Sequence, residues 1–267
     1  MKSRIDVLLV EKGLCETREK ARRVIMAGLV FVDGQRCDKP GTNVAVDAAI
    51  EVRGDDCPYV SRGGLKLERA LDRFGLGMNG FVCLDIGSST GGFTDCMLQR
   101  GAVKVYAVDS GTNQLAWKLR SDERVVCMEQ YNFRYAQASD FADPMDFACT
   151  DVSFISLKHI LPPACMLLKD GANMVCLIKP QFEAGREQVG KNGIVKDPAV
   201  HRQVIKNVLG YALESGFSCL DLDHSPVKGT KGNIEYLVLL KKEPEPESAV
   251  SDDTIAEVVN NAHKELD

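Results

Sequence analysis

The sequence contains no apolar run close to the roughly 20 residues that a bilayer-spanning helix requires. Its start, Met-Lys-Ser-Arg-Ile-Asp, lacks the apolar core of a secretory signal, so a cytoplasmic protein with no membrane partner is expected. None of the ten cysteines is arranged as C-x-x-C, which argues against a zinc site or a disulfide framework. Cys83, Cys149 and Cys176 sit inside short apolar runs, where a reduced thiol acts as a small core hydrophobe, and no metal is expected. Internal repeats and low-complexity tracts are also absent. An excess of positive charge is missing too, since the formal net charge is −5. That deficit is local: residues 243–267 hold eight acids and one lysine, and the 242 residues before them carry +2. Nucleic-acid binding depends on how charge clusters rather than on its total, so the overall sign excludes nothing.

The N-terminal 55 residues read as a small helix-helix-strand unit. A helix over 4–13 stops at Gly13, which suits a left-handed cap. Thr17 N-caps a second helix ending at Gly28, with Ala21, Val24 and Ile25 as its apolar stripe. A strand then turns at Asp33-Gly34, a strong hairpin signal, and a further strand lies near 49–53. The second helix concentrates Arg18, Lys20, Arg22 and Arg23. Arg18 and Arg22 share a face and repel unless an anion meets them, while Glu16 and Glu19 offer internal balance. Charge alone leaves phosphate binding and a solvated face equally open.

Beyond a linker at Gly54-Asp-Asp-Cys-Pro, apolar runs at 81–86, 103–108, 124–127, 146–150, 173–178 and 234–240 alternate with helical stretches. That alternation implies a doubly wound, mainly parallel α/β sheet. The acidic tail, 243–267, is expected to be flexible, with Glu-Pro-Glu-Pro-Glu extended and a polar helix near 253–265.

Cys83-Leu-Asp-Ile-Gly-Ser-Ser-Thr-Gly-Gly-Phe-Thr-Asp carries the clearest chemistry. A strand ends in Asp85, and Gly87, Gly91 and Gly92, with Ser88, Ser89 and Phe93, form a tight turn beside a ligand. The next strand ends in Asp109, placed to accept both hydroxyls of an adenosine ribose. The spacing lacks G-x-G-x-x-G, which disfavours NAD or FAD. A methyl-donor site and a structural turn stay open at this point. Glu129 and Asn132 follow the third strand, where an adenine edge would lie. Lys66, Asp151, Lys179 and Glu235 each sit at an element end, where open α/β sheets bind ligands. The polar loop over 182–195 reads as a lid or clamp with Arg186 and Lys191 facing phosphate, and Lys228 and Lys231 are weaker candidates.

Two resemblances connect these features. Arg4-Ile-Asp-x-x-Leu-x-x-x-Gly-Leu followed by Thr17-Arg-x-x-Ala-x-x-x-Ile-x-x-Gly-x-Val-x-Val-Asp-Gly resembles the S4 RNA-binding domain over residues 4–53. It implies RNA contacts from Arg4, Arg18, Lys20, Arg22 and Arg23. Ser61-Arg-Gly-Gly-x-Lys-Leu, the 85–95 loop, Asp-Val-Ser-Phe-Ile-Ser from Asp151 and Ile-Lys-Pro-Gln-Phe-Glu from Ile178 resemble the TlyA (hemolysin A) family. Its catalytic part is similar to the FtsJ ribose methyltransferases. The acid before the first glycine then resembles the S-adenosylmethionine motif. The resemblance implies domains at 1–58 and 59–242, S-adenosylmethionine as cofactor, and 2′-O-methylation of cytidine in ribosomal RNA or ribosomal subunits. It implies Lys66, Asp151, Lys179 and Glu235 as the catalytic set and adds Arg62 to the RNA contacts; the chemistry of deprotonating a hydroxyl then suggests Lys179 as base with Asp151 orienting it. One departure is plain: the Arg-x-Trp-Val element that members can carry between the domains reads Asp56-Cys-Pro-Tyr-Val here. A pseudouridine synthase also can carry an S4 module, but the donor loop has no place in that chemistry. A non-enzymatic ribosome-assembly factor is the alternative, and the intact Lys-Asp-Lys-Glu set argues against it. A pore-forming hemolysin would need an amphipathic segment the sequence does not offer.

Overall fold

A computed structural model describes residues 2–26, 28–53, 57–229 and 231–266, in two compact units, Met1–Arg62 and Gly63–Asp267. Part of the linker read from the sequence, residues 54–56, lies outside the described residues.

In the first unit, β1 (Lys2–Arg4) leads into α1 (Ile5–Glu11), and Gly13, at φ +71°, turns the chain just beyond its end. The Thr17 hydroxyl accepts the Lys20 N–H at 3.1 Å and caps α2 (Arg18–Met26). Asp33 and Gly34, at φ +50° and +79°, form the tight turn between β2 (Val30–Val32) and β3 (Gln35–Cys37), the two left-handed residues that a type I′ hairpin needs. β4 (Asn43–Ala45) pairs with β1, and β5 (Ile50–Val52) pairs with β2, both antiparallel. Ile5, Leu9, Ala21, Val24, Ile25 and Val30 close the core between helices and sheet. β1 and β4 escape a sequence reading because three-residue strands are too short to show a period.

The second unit begins with α3 (Gly63–Arg73) and β6 (Val82–Ile86), followed by α4 (Gly92–Gln99) and β7 (Lys104–Val108). α5 (Trp117–Arg120), β8 (Val125–Met128), β9 (Met145–Thr150), α6 (Leu161–Leu167) and β10 (Leu168–Ile178) continue the alternation. After α7 (Pro180–Glu183) and α8 (Pro198–Glu214), β11 (Phe217–His224) and β12 (Tyr236–Lys242) complete a seven-stranded sheet. Its order is β11-β12-β10-β9-β6-β7-β8, with β12 antiparallel to both neighbours and the other pairings parallel. The chain winds outward from β6 to β7 and β8 on one side and from β9 to β10 on the other. The switch point between β6 and β9 therefore opens a crevice at the carboxyl ends of the strands, where such folds bind ligands. Cys83, Cys149 and Cys176 are fully buried in this sheet, and burial pushes the Cys83 thiol up to about 12. Among the described residues no group of three or more His, Cys, Asp or Glu is arranged to hold a metal, and no helix is long and apolar enough to cross a membrane.

β11 was not evident in the sequence because Asp221 and Asp223 interrupt its apolar pattern and its register shifts between Cys219 and Asp221. Arg73 and Arg69 of α3 meet those two acids, each at 2.9 Å.

The expectation of a flexible acidic tail is corrected. Glu247 and Ala249 hydrogen-bond Cys219 on the outer edge of β11, and Val250 is buried. α9 (Asp252–Leu266) then packs Ile255, Val259 and Ala262 inward. The physical cause is twofold: an apolar stripe at helical spacing lies within the acidic composition, and the open edge of β11 gains partners. Glu265 of α9 lies 3.0 Å from the buried His224 ring, and Asp223 lies 3.4 Å from it. Asp223 first and then Glu265 raise the His224 pKa, outweighing the burial that opposes its charge. A raised histidine pKa stabilises the fold below the unfolded value of about 6.5, and the contribution is lost as pH rises through the folded value. Protection of the 252–266 amides, corrected for the intrinsic rise of exchange with pH, should therefore fall above about pH 6.5 in the wild type, and Glu265→Gln should weaken that dependence.

Candidate active site

Four of the sequence candidates converge at the crevice. α3 brings Lys66, β9 ends just before Asp151, β10 ends just before Lys179, and Glu235 precedes β12. Lys66 Nζ lies 2.7 Å from Glu235 Oε2 and 3.5 Å from Asp151 Oδ2. Lys179 Nζ lies 2.5 Å from Asp151 Oδ1 and donates to Ser153 Oγ at 3.0 Å. The four thus alternate in sign, Glu235–Lys66–Asp151–Lys179, and leave no uncompensated charge in a site where Lys66, Lys179 and Glu235 are buried. Burial works against the Lys66 charge, yet Asp151 and Glu235 outweigh it and hold this pKa above the ordinary lysine value. Gly229 shapes the Glu235 side: a Cβ there would lie 2.3 Å from Glu235 Oε1.

Glu183 ties the Asp151 and Lys179 segments together. It accepts from Ser156 Oγ at 2.6 Å and from the Leu157 N–H at 2.7 Å, and burial raises its pKa. Phe154, which the sequence reading passed over as part of a motif, stands out in space. It is 88% exposed, has φ +64°, and its ring centroid lies 5.0 Å from that of Phe182. A non-glycine aromatic residue in the left-handed region is strained by about 1–3 kcal/mol, a cost that clusters at functional sites. Only the combination of strain and exposure reveals it; a phenylalanine in the sequence carries neither signal.

The cofactor loop follows β6. Gly87 has φ +84°, and a Cβ there would press on Val152 at 3.0 Å. Gly91 has φ +97°, and Leu119 and Leu115 occupy the space its Cβ would take, at 2.3 and 2.8 Å. Ser88 N–H bonds to Val108 O, Phe93 is buried in α4, and Gly92 opens that helix. Asp85 accepts from the N–H and hydroxyl of Thr94 at 2.9 and 2.6 Å, so it anchors α4, and burial pushes it up to about 7. Asp109 accepts the Ser89 N–H at 2.8 Å and the Gly111 N–H at 2.7 Å, one on each oxygen. Each carboxylate oxygen keeps a second acceptor position, the feature that binding a ribose diol requires.

Glu129 anchors the loop that leads into α5. It pairs with Arg120 at 2.6 Å and accepts the N–H groups of Asn113, Gln114 and Leu115, folding the 111–116 loop. Arg120 first and these N–H groups next bring its pKa down to about 2. Asn132 accepts the Arg134 N–H at 3.2 Å and caps a single 3-10 turn.

In the first unit, Arg4 and Arg18 are held on one buried carboxylate. Asp6 accepts from Arg4 Nε and a terminal nitrogen at 2.9 and 3.0 Å, and from Arg18 Nε at 2.9 Å. Both guanidiniums remain about half exposed. Lys20 lies 3.9 Å from Glu16, and Arg22 and Arg23 extend into solvent from the same helix. Arg62 closes this unit, whereas Arg186 and Lys191 lie on 3-10 turns of the 184–197 loop in the other.

Comparison with known proteins agrees with this geometry. The FtsJ-like methyltransferase family matches residues 59–242 and the S4 domain matches residues 3–50. A Bacillus subtilis protein provisionally named rRNA methyltransferase YqxC is 54% identical, over 99% of this chain and 95% of its own length. The 16S/23S rRNA (cytidine-2′-O)-methyltransferase TlyA of Mycobacterium tuberculosis is 41% identical over 90% of each chain. A solved structure from Streptococcus thermophilus, provisionally described as a hemolysin, superposes with a TM-score of 0.81 at 54% identity and covers 99% of this chain and 96% of its own. The chain belongs to the FtsJ-like methyltransferase family and carries an S4 domain at its N-terminal end.

Proposed function

We propose that the protein is an S-adenosylmethionine-dependent ribosomal RNA methyltransferase that acts on a ribose 2′-hydroxyl, with cytidine as the target nucleoside. The alternating Lys66, Asp151, Lys179 and Glu235 set at the mouth of the glycine cradle carries this reading, and the TlyA relative supports the choice of cytidine. S-adenosylmethionine, when bound, supplies an electrophilic methyl group. Asp109 would hold it through its remaining acceptor positions, on a loop whose Gly87 and Gly91 pack without a Cβ against Val152, Leu115 and Leu119.

A 2′-hydroxyl is a poor nucleophile until its proton is removed or strongly polarised. Lys179 is assigned to take that proton, and Asp151 and Ser153 fix the direction of its Nζ. Lys66, held charged by two carboxylates, meets the RNA backbone phosphate. Glu235 orients Lys66 and accepts from the ribose. The S4 unit supplies affinity through phosphate contacts, with Arg4 and Arg18 fixed by Asp6 before RNA arrives.

Phe154 is the surface on which a nucleobase stacks while its ribose reaches Lys179. Stacking on an aromatic ring contributes about 1–3 kcal/mol per base, so Phe154→Ala should lower kcat/KM for ribosomal subunits by about tenfold or more. Its affinity for S-adenosylmethionine, measured by calorimetry, should not change. The defining experiment is transfer of a labelled methyl group to ribosomal subunits followed by alkaline hydrolysis of the RNA. Label in hydrolysis-resistant dinucleotides supports the reading, and label in mononucleotides replaces it with base methylation.

A further inference from the structure

The 184–197 loop leaves α7 and returns to α8 through two 3-10 turns, Arg186–Gln188 and Lys191–Gly193. Two buried side chains grip it on either side of one residue. Asn233 Oδ1 accepts the Val195 N–H at 3.0 Å, and its Nδ2 donates to Gly193 O at 2.9 Å. From the other side, His201 Nε2 lies 3.0 Å from Val195 O. A carbonyl can only accept, so Nε2 carries a proton, while Nδ1 lies 2.7 Å from the Tyr236 hydroxyl. His263 of α9 approaches the same Nδ1, with its Nε2 at 3.2 Å. His201 and Tyr236 are fully buried, and Asn233 is 2% exposed.

Asn233 and Tyr236 bracket Glu235 in the chain, so the groups that hold Val195 also set where Glu235 leaves the sheet. The loop they hold carries Arg186 and Lys191, and a Cβ on its Gly193 would lie 3.8 Å from Lys231 Nζ of the facing loop. The facing loop reaches Glu235 itself, since a Cβ on Gly229 would lie 2.3 Å from Glu235 Oε1. Buried polar side chains that satisfy one another rigidify their surroundings, because any displacement leaves a donor or acceptor unpaired in a low-dielectric interior.

We propose that His201 and Asn233 are positioning residues for methyl transfer, gripping Val195 so that the basic 186–195 loop and Glu235 form one rigid rim that seats the RNA backbone. The proposal rests on the assignment of Glu235 to the catalytic set.

The test uses the full chain and compares hydrogen exchange, S-adenosylmethionine affinity and methyl transfer to ribosomal subunits. Asn233→Ala and His201→Leu should each speed exchange of the 186–196 amides by about tenfold or more and raise KM for subunits by a similar factor. Cofactor affinity and exchange of the β6 and β7 amides should stay at wild-type levels. His201→Gln places an amide N–H near the Nε2 position and should restore most of the protection and of the KM. Unchanged exchange at 186–196 would overturn the proposal, as would faster exchange spread evenly over the unit with cofactor affinity lost. Full turnover by Glu235→Gln, with the loop effects still present, would instead remove the catalytic assignment beneath it.

Discussion

Lys179→Ala should abolish nearly all methyl transfer, by about 10³-fold, while leaving the affinity for S-adenosylmethionine within about twofold. The separation follows from geometry: Lys179 contacts Asp151 and Ser153, and none of its hydrogen bonds reaches the 85–92 loop or Asp109. Calorimetric titration of the cofactor beside a methyl-transfer assay reads both quantities. Lys179→Arg sharpens the result. A guanidinium keeps the charge and can pair with Asp151, but it stays protonated and accepts no proton. Loss of turnover in both variants supports proton removal by Lys179. Retained turnover in Lys179→Arg would mean that charge alone suffices, and near-normal turnover in Lys179→Ala would remove the residue from the chemistry.

Asp151→Asn should be nearly as damaging and should also weaken the fold. Asp151 stands between two buried ammonium groups, and without its charge Glu235 still faces Lys66 while Lys179 loses its carboxylate partner. Removing one member of a buried ionic set typically costs about 3–5 kcal/mol, because the remaining charges are left uncompensated. The melting temperature should therefore drop by several degrees, and turnover should fall by about 10²-fold or more as Lys179 loses its orientation. Adding Lys179→Met to Asp151→Asn removes the ammonium left unpaired and keeps the Lys66–Glu235 pair. The double variant should recover much of the stability and none of the activity, a non-additive outcome expected of residues in one network. If the double variant is no more stable than Asp151→Asn, charge imbalance is not the cause of the loss.

Most of this organisation was readable along the chain. The Asp33-Gly34 turn, the Thr17 cap, the Gly13 stop and the apolar runs that became β6 to β10 and β12 are local signals, each set by a few neighbouring residues. The glycines at 87 and 91 were readable for the same reason, since a positive φ and a missing Cβ are properties of single positions. Motif resemblance named Lys66, Asp151, Lys179 and Glu235, although no spacing in the sequence places them together. Their residue numbers span 169 positions between Lys66 and Glu235, yet the two side chains meet at 2.7 Å.

The sequence by itself determined the alternation of elements, the turns and the residue types available for chemistry, because these depend on backbone preferences and periodicity over short windows. Tertiary structure alone decided the rest. Glu129 became a loop anchor because backbone N–H groups from 113–115 converge on it. The acidic tail became a packed helix because an open strand edge and an apolar stripe found each other across the sheet. Phe154 became conspicuous because its strain and exposure exist only in three dimensions. In each case the deciding feature lies outside the few neighbouring residues that a local pattern reads, and only the folded chain carries it.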